Sequence, residues 1–145
     1  MVYFPDNYFE KEIRNGFEVS SMMKRAWAGQ IEVLSVIREI CERHNILWFA
    51  DYGTLLGAVR HKGFIPWDDD MDIGMTRDNL NNFIKYAKDE LPDEYKLLCM
   101  DLEPQYDSLI VRVVNSTSVS MDKERLYKFH GCPYVLGIDI FPMDY

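Results

Sequence analysis

Along the first third of the chain, apolar positions recur at helical spacing. Val33, Leu34, Val36, Ile37, Ile40 and Cys41 fall on one side of a 3.6-residue wheel, and Glu32, Ser35, Arg38, Glu39, Glu42 and Arg43 fall on the other. This predicts a long helix through about residue 44, with Asn45 as its stop. Ile46–Ala50 is a short apolar run that reads as a buried strand. Thr54 then stands as the cap of a short second helix carrying Leu55, Leu56, Ala58 and Val59. After a loop at Gly63–Trp67 the period changes to two. Met71, Ile73 and Met75 alternate with Asp70 and Asp72, which predicts a strand with both carboxylates on one face. Thr76 caps a third helix, whose Leu80, Phe83, Ile84 and Ala87 keep i, i+3, i+4, i+7 spacing until Leu91-Pro92 ends it. Lys96–Met100, Leu109–Val114, Val119–Met121 and Leu136–Phe141 read as extended. Early helices and late strands without regular βαβ alternation predict an α/β or α+β fold, a small mixed sheet covered by helices.

Composition narrows the function. A chain of 145 residues with 48% hydrophobic and 14% aromatic residues can bury a core and is one domain in size. No repeat or linker divides it. Sixteen basic against twenty-four acidic residues give a net charge of −8, which argues against a nucleic-acid partner. An anionic substrate then requires local cations. No apolar run of roughly 18 residues spans a bilayer, and the N-terminus lacks a signal-like apolar stretch. Cys41, Cys99 and Cys132 form no C-x-x-C pair, so reduced thiols in a cytoplasmic protein are expected. His44 and His130 read as structural, and Asn115-Ser116-Thr117 as a hairpin turn.

Four features carry chemistry. Asp68, Asp69, Asp70 and Asp72 lie within five residues, and like charges this close destabilise one another unless something positive sits among them. Alternation with apolar residues argues against a merely solvated turn. Hard divalent cations take such carboxylates, Mg²⁺ (or Mn²⁺) alongside substrate phosphates. An EF-hand is excluded, because positions six and twelve counted from Asp68 hold Ile73 and Asn79. An aspartyl-phosphate hydrolase fails for want of a preceding apolar strand, whereas a glycosyltransferase D-x-D survives. Gly53-Thr54, before a short helix, could supply amides and a hydroxyl to a phosphate, or be an ordinary cap. Asp139, inside the apolar Ile138–Phe141, is costly to bury unless paired or metal-bound, the alternative being an exposed edge strand. Arg60-His61-Lys62 could meet phosphates or be a solvated loop.

Read together, Asp51 through Ile73, with Gly53-Thr54, Arg60-His61 and the acids in fixed order, closely resembles the signature of the LicD family. That family includes bacterial phosphocholine transferases and is related to fukutin and fukutin-related protein. Ile138–Pro142 is similar to its second motif, and the stretch from Phe4 through the first helix is similar in style. The resemblance implies a nucleotidyltransferase-like fold, whose signature is a Gly-Ser/Thr turn, a [DE]-x-[DE] strand and a later acid. Tyr52-Gly53-Thr54, Asp70-Met71-Asp72 and Asp139 fit that order, with fifteen residues between Thr54 and Asp70. The chain ends four residues past Phe141, where family members continue, so residues 1–145 are expected to be a single catalytic core.

The resemblance implies metal-dependent transfer of a phospho-alcohol from a CDP-alcohol donor such as CDP-choline. The acceptor would be a hydroxyl of a cell-surface glycan or glycolipid (lipopolysaccharide, teichoic acid or capsule), reached from the cytoplasm at the inner face of the membrane. Asp70, Asp72 and Asp139 would be catalytic metal ligands with Asp68 beside them. Gly53, Thr54, Arg60 and His61 would bind substrate. Two rivals stay open: an NTP-using nucleotidyltransferase, distinguished by its donor, and a metal-binding module without catalysis.

Overall fold

The computed structural model describes residues 1–144. A short 3₁₀ turn, Asp6–Phe9, leads into a hairpin of β1 (Glu12–Arg14) and β2 (Phe17–Val19). The sequence reading missed this hairpin, although Asn15-Gly16 announces it. Both residues take positive φ (50° and 76°), the conformation tight hairpins require.

Helix α1 (Ser21–His44) starts on Ser20, whose hydroxyl accepts from the Met23 amide, and stops at Asn45 in the left-handed conformation. Its apolar stripe is buried as expected, but Glu32 is not solvated. It is only 5% exposed, accepting from the Val2 amide at 2.7 Å and pairing with His130 Nε2 at 2.6 Å. His44 stacks on Tyr86 and pairs with Glu90. Both histidines thus tie distant segments together.

The main sheet contains β3 (Phe49–Ala50), β4 (Asp72–Thr76), β5 (Lys96–Leu98), β6 (Val111–Val114) and β7 (Gly137–Met143), in the order β3-β4-β7-β6-β5. β4 and β7 are parallel, and every other pair is antiparallel. Helices α1 and α3 (Arg77–Glu90) cover one face. Ile37 and Ile40 of α1 and Phe83 of α3 meet Ile73, Val113, Ile138 and Ile140 of the strands in one core. The mixed sheet flanked by helices is the fold class expected.

Several local expectations change. β3 is a two-residue edge strand rather than a buried run, with Leu47 and Phe49 exposed, because only β4 pairs with it. Helix α2 (Tyr52–Arg60) is capped by Asp51, whose Oδ1 accepts from the Tyr52 amide, and not by Thr54. Thr76 occupies the α3 cap position, but its hydroxyl accepts from the Asn79 side chain. Val119–Met121 is irregular, and α4 (Lys123–Lys128) follows it. Arg125 holds this region by donating to the Pro133 and Tyr134 carbonyls and the Ser116 hydroxyl. Asn115 is not a hairpin turn. It is buried, and its Oδ1 accepts the Leu136 amide, bracketing the start of β7. The three cysteines are free and buried, and burial pushes the Cys41 thiol up to about 12. Among the described residues, no helix is long and apolar enough to cross a membrane.

Candidate functional site

Strand register builds the site. Asp72 is opposite Asp139 across the parallel β4–β7 pair, and Asp139 is opposite Arg112 across β7–β6. Residues in register on neighbouring strands share a face at spacings of about 4.8 Å. Asp72, Asp139 and Arg112 therefore form a row across three strands, on the face turned away from the Ile73–Ile138–Val113 core. Apolar residues at alternate positions anchor each strand inward, which leaves these three side chains pointing outward.

Asp68, Asp69 and Asp70 precede β4: the strand begins at Asp72, so Asp70 lies in the turn before it and not, as the alternation predicted, on one strand face with Asp72. Each contributes a carboxylate oxygen to a group lying within 4.8 Å of one another. Helix α1 fixes their backbone. Trp27 Nε1 donates to the Asp68 carbonyl at 2.8 Å and Gln30 Nε2 to the Asp69 carbonyl at 2.5 Å, while the Trp27 ring stacks on Phe64. The Asp139 amide donates to the Met71 carbonyl, so the acidic turn is stitched to β7 as well.

Gly53 and Thr54 reach the same acids from the start of α2. The Thr54 hydroxyl accepts from the Asp72 amide at 2.7 Å, which fixes the entry of β4. The Asp68 carboxylate lies against Gly53, where a Cβ would come within 2.4 Å of its Oδ2. Gly53 thus admits a carboxylate to the positive end of α2. Gly53, Thr54, Asp68, Asp70, Asp72 and Asp139 are brought together. Arg60 and His61 are not. They close the far end of α2, about 10 Å along its axis, where His61 faces Asn15 and Trp67.

The acids are flanked by two cavities. One, of about 160 Å³, lies between α2 and the 63–71 loop, with Thr54, Phe64, Asp68 and Asp70 on its walls. The other, of about 340 Å³, lies between α1 and β6–β7, with Gln30, Asp70, Arg112, Tyr134 and Asp139. Asp70 borders both. Arg60 and His61 line neither.

Two of these carboxyls, Asp70 and Asp72, have a raised proton affinity. A hydrogen bond shared with Asp68 pushes Asp70 up most, followed by burial and the charges of Asp68 and Asp139. Asp72 is pushed up to about 6, chiefly by burial and then by Asp70, Asp139, Asp68 and Asp51. Asp139 sits on an internal strand, not an edge, and is paired. Arg112 grips it through both fork nitrogens, Nη2 standing 2.6 Å from Oδ2. Clustered hard oxygen donors, with the ionised forms of Asp70 and Asp72 destabilised, fit a divalent cation, which would relieve that repulsion. Sequence reasoning counted Asp69 in the acidic run but gave it no role, although it belongs to the clustered group, and it missed Trp27, Gln30 and Arg112 altogether. Two polar side chains on the buried face of α1 signal the first pair; for Arg112 only tertiary register brings it in.

Comparison with known proteins finds a family and several relatives. Residues 45–133 match the family model described as LicD/FKTN/FKRP, nucleotidyltransferase domain. The match takes in Gly53, Thr54 and Asp68 to Asp72 and stops short of Asp139. Over 115 residues, 79% of the chain, the sequence is 37% identical to the lipopolysaccharide cholinephosphotransferase LicD of Haemophilus influenzae, covering 41% of that protein's length. Over 43 residues it is 37% identical to the human ribitol 5-phosphate transferase FKRP, covering 9% of its length.

Proposed function

The chain belongs to the LicD/FKTN/FKRP nucleotidyltransferase-domain family, and from that premise we propose that it carries the catalytic core of a phospho-alcohol transferase. The reaction is transfer of a phosphocholine-like group from a CDP-alcohol to a hydroxyl of a glycan or glycolipid, with release of CMP. The names of two relatives, one moving cholinephosphate and the other ribitol 5-phosphate, support the phospho-alcohol class. The observation that carries the reading is the convergence of Asp70, Asp72 and Asp139 from the acidic turn and two paired strands, between two cavities.

Asp70 and Asp72, with Asp139 and Asp68 beside them, would hold Mg²⁺ or Mn²⁺. Such an ion supplies charge neutralisation at the pyrophosphate. The chain's own residues do the rest. Thr54 keeps Asp72 in position, and its hydroxyl proton remains free to donate to a phosphate oxygen. Trp27 and Gln30 hold the acidic turn still, so that the carboxylates are oriented before substrate arrives. Asp139, which lines the larger cavity, would take the proton of an acceptor hydroxyl. Arg60 and His61 serve only a part of the substrate that extends along α2 beyond both cavities.

Phosphorus NMR of the protein with Mg²⁺, a hydroxyl-bearing glycan acceptor and either CDP-choline or CTP tests this. CMP appearing from CDP-choline together with a new phosphodiester on the acceptor supports phospho-alcohol transfer. Pyrophosphate appearing from CTP, with CDP-choline untouched, replaces it with nucleotidyl transfer.

A further inference from the structure

We propose that Arg112 is the phosphate receptor of this site, and that it exchanges Asp139 for a substrate phosphate when a divalent cation occupies the acids. The inference rests on the metal-dependent reading above and adds to it a residue and a partner exchange. Among the described residues, Arg112 is the only cation on the walls of either cavity beside the acids. Its planar fork, now on Asp139, matches a phosphate as well as a carboxylate. The side chain lines the larger cavity and is still 47% exposed, whereas that of Asp139 is 17% exposed. It can therefore turn without unpacking the core.

The opposite wall of that cavity carries a second sign of a missing ligand. Gln30 is 4% exposed, and its amide nitrogen is committed to the Asp69 carbonyl, which fixes the orientation of the carboxamide. Its Oε1 is buried without a hydrogen-bond partner. Buried acceptors are nearly always satisfied. Because Gln30 lines the cavity, a small side-chain adjustment that opens Oε1 would let a ligand hydroxyl or amine donate to it. The cavity's 340 Å³ suits a phosphorylated small molecule.

Competition gives the proposal its test. As long as Arg112 grips both oxygens of Asp139, it opposes cation binding there; once turned, it holds phosphate. Arg112→Gln should bind Mn²⁺ alone at least as tightly as the parent, read by electron paramagnetic resonance. In calorimetry with saturating Mg²⁺ it should bind CDP about tenfold or more weakly, the usual consequence of losing a charge-assisted pair. Arg112→Lys should recover part of the CDP affinity, and melting curves for all three proteins check folding. CDP affinity equal in parent and Arg112→Gln overturns the proposal while leaving the function standing. Loss of Mn²⁺ affinity together with CDP affinity also overturns it, since Arg112 would then merely prop Asp139. A parent that binds neither Mn²⁺ nor CDP removes the proposed function and this inference together.

Discussion

At Asp72, burial and the neighbouring carboxylates all act in one direction. A carboxyl whose folded-state value rises to about 6 keeps its proton in the fold at a pH where the unfolded chain has released it. The Asp72 contribution to stability is therefore fully present below the ordinary carboxylate range, is lost as pH rises from about 4 to about 6, and stays absent above that. Without divalent cation, the parent's melting temperature should fall relative to that of Asp72→Asn across that window. Asp72→Asn should melt higher than the parent at pH 8 and alike at pH 3.5. Millimolar Mg²⁺ should raise the parent's melting temperature at pH 8 and leave that of the variant nearly unchanged, by mass action on the folded state. Thr54 is the second critical residue. Thr54→Val leaves the Asp72 amide without its acceptor and should cost about 1–3 kcal/mol, whereas Thr54→Ser should unfold near the parent midpoint in urea.

Among the elements, α2 shows how a local rule is overridden by packing. Alanine for a helical glycine usually stabilises by about 0.5–1 kcal/mol. At Gly57 a Cβ would stand 2.5 Å from the Gly63 carbonyl oxygen and 3.2 Å from the Ile65 amide nitrogen. Gly57→Ala should therefore lower the melting temperature by several degrees; an increase would mean that α2 and the 63–65 loop are not in close contact. The long helices were legible because their apolar stripes are continuous: Leu80, Phe83 and Ala87 are buried as their spacing requires. The short elements were not. Two-residue β3 has no periodicity to read, α4 has no buried residue to mark it, and the Thr54 hydroxyl looked like a cap while tertiary contact had given it to Asp72. Glu32 defeated the wheel because His130, 98 residues away, compensates its burial.

For the whole molecule, the acids were legible as a motif and their arrangement was not. The run from Asp68 to Asp72 and the lone Asp139 stand out in the sequence as charges among apolar residues. That Asp139 faces Asp72 follows only from the parallel β4–β7 pairing, and Arg112 enters only through β6. Arg60 and His61 seemed close by sequence, but nine residues of helix carry them away from the acids. The net charge of −8 sharpens the requirement: an anionic donor approaches this site only if a cation offsets the carboxylates. The most direct measurement is a calorimetric titration of the parent, Asp70→Asn and Asp72→Asn with CDP-choline, each with and without Mg²⁺. Binding by the parent is expected only with Mg²⁺, and binding by both variants is expected to be at least tenfold weaker. Binding that ignores Mg²⁺, or is unchanged in both variants, would contradict it.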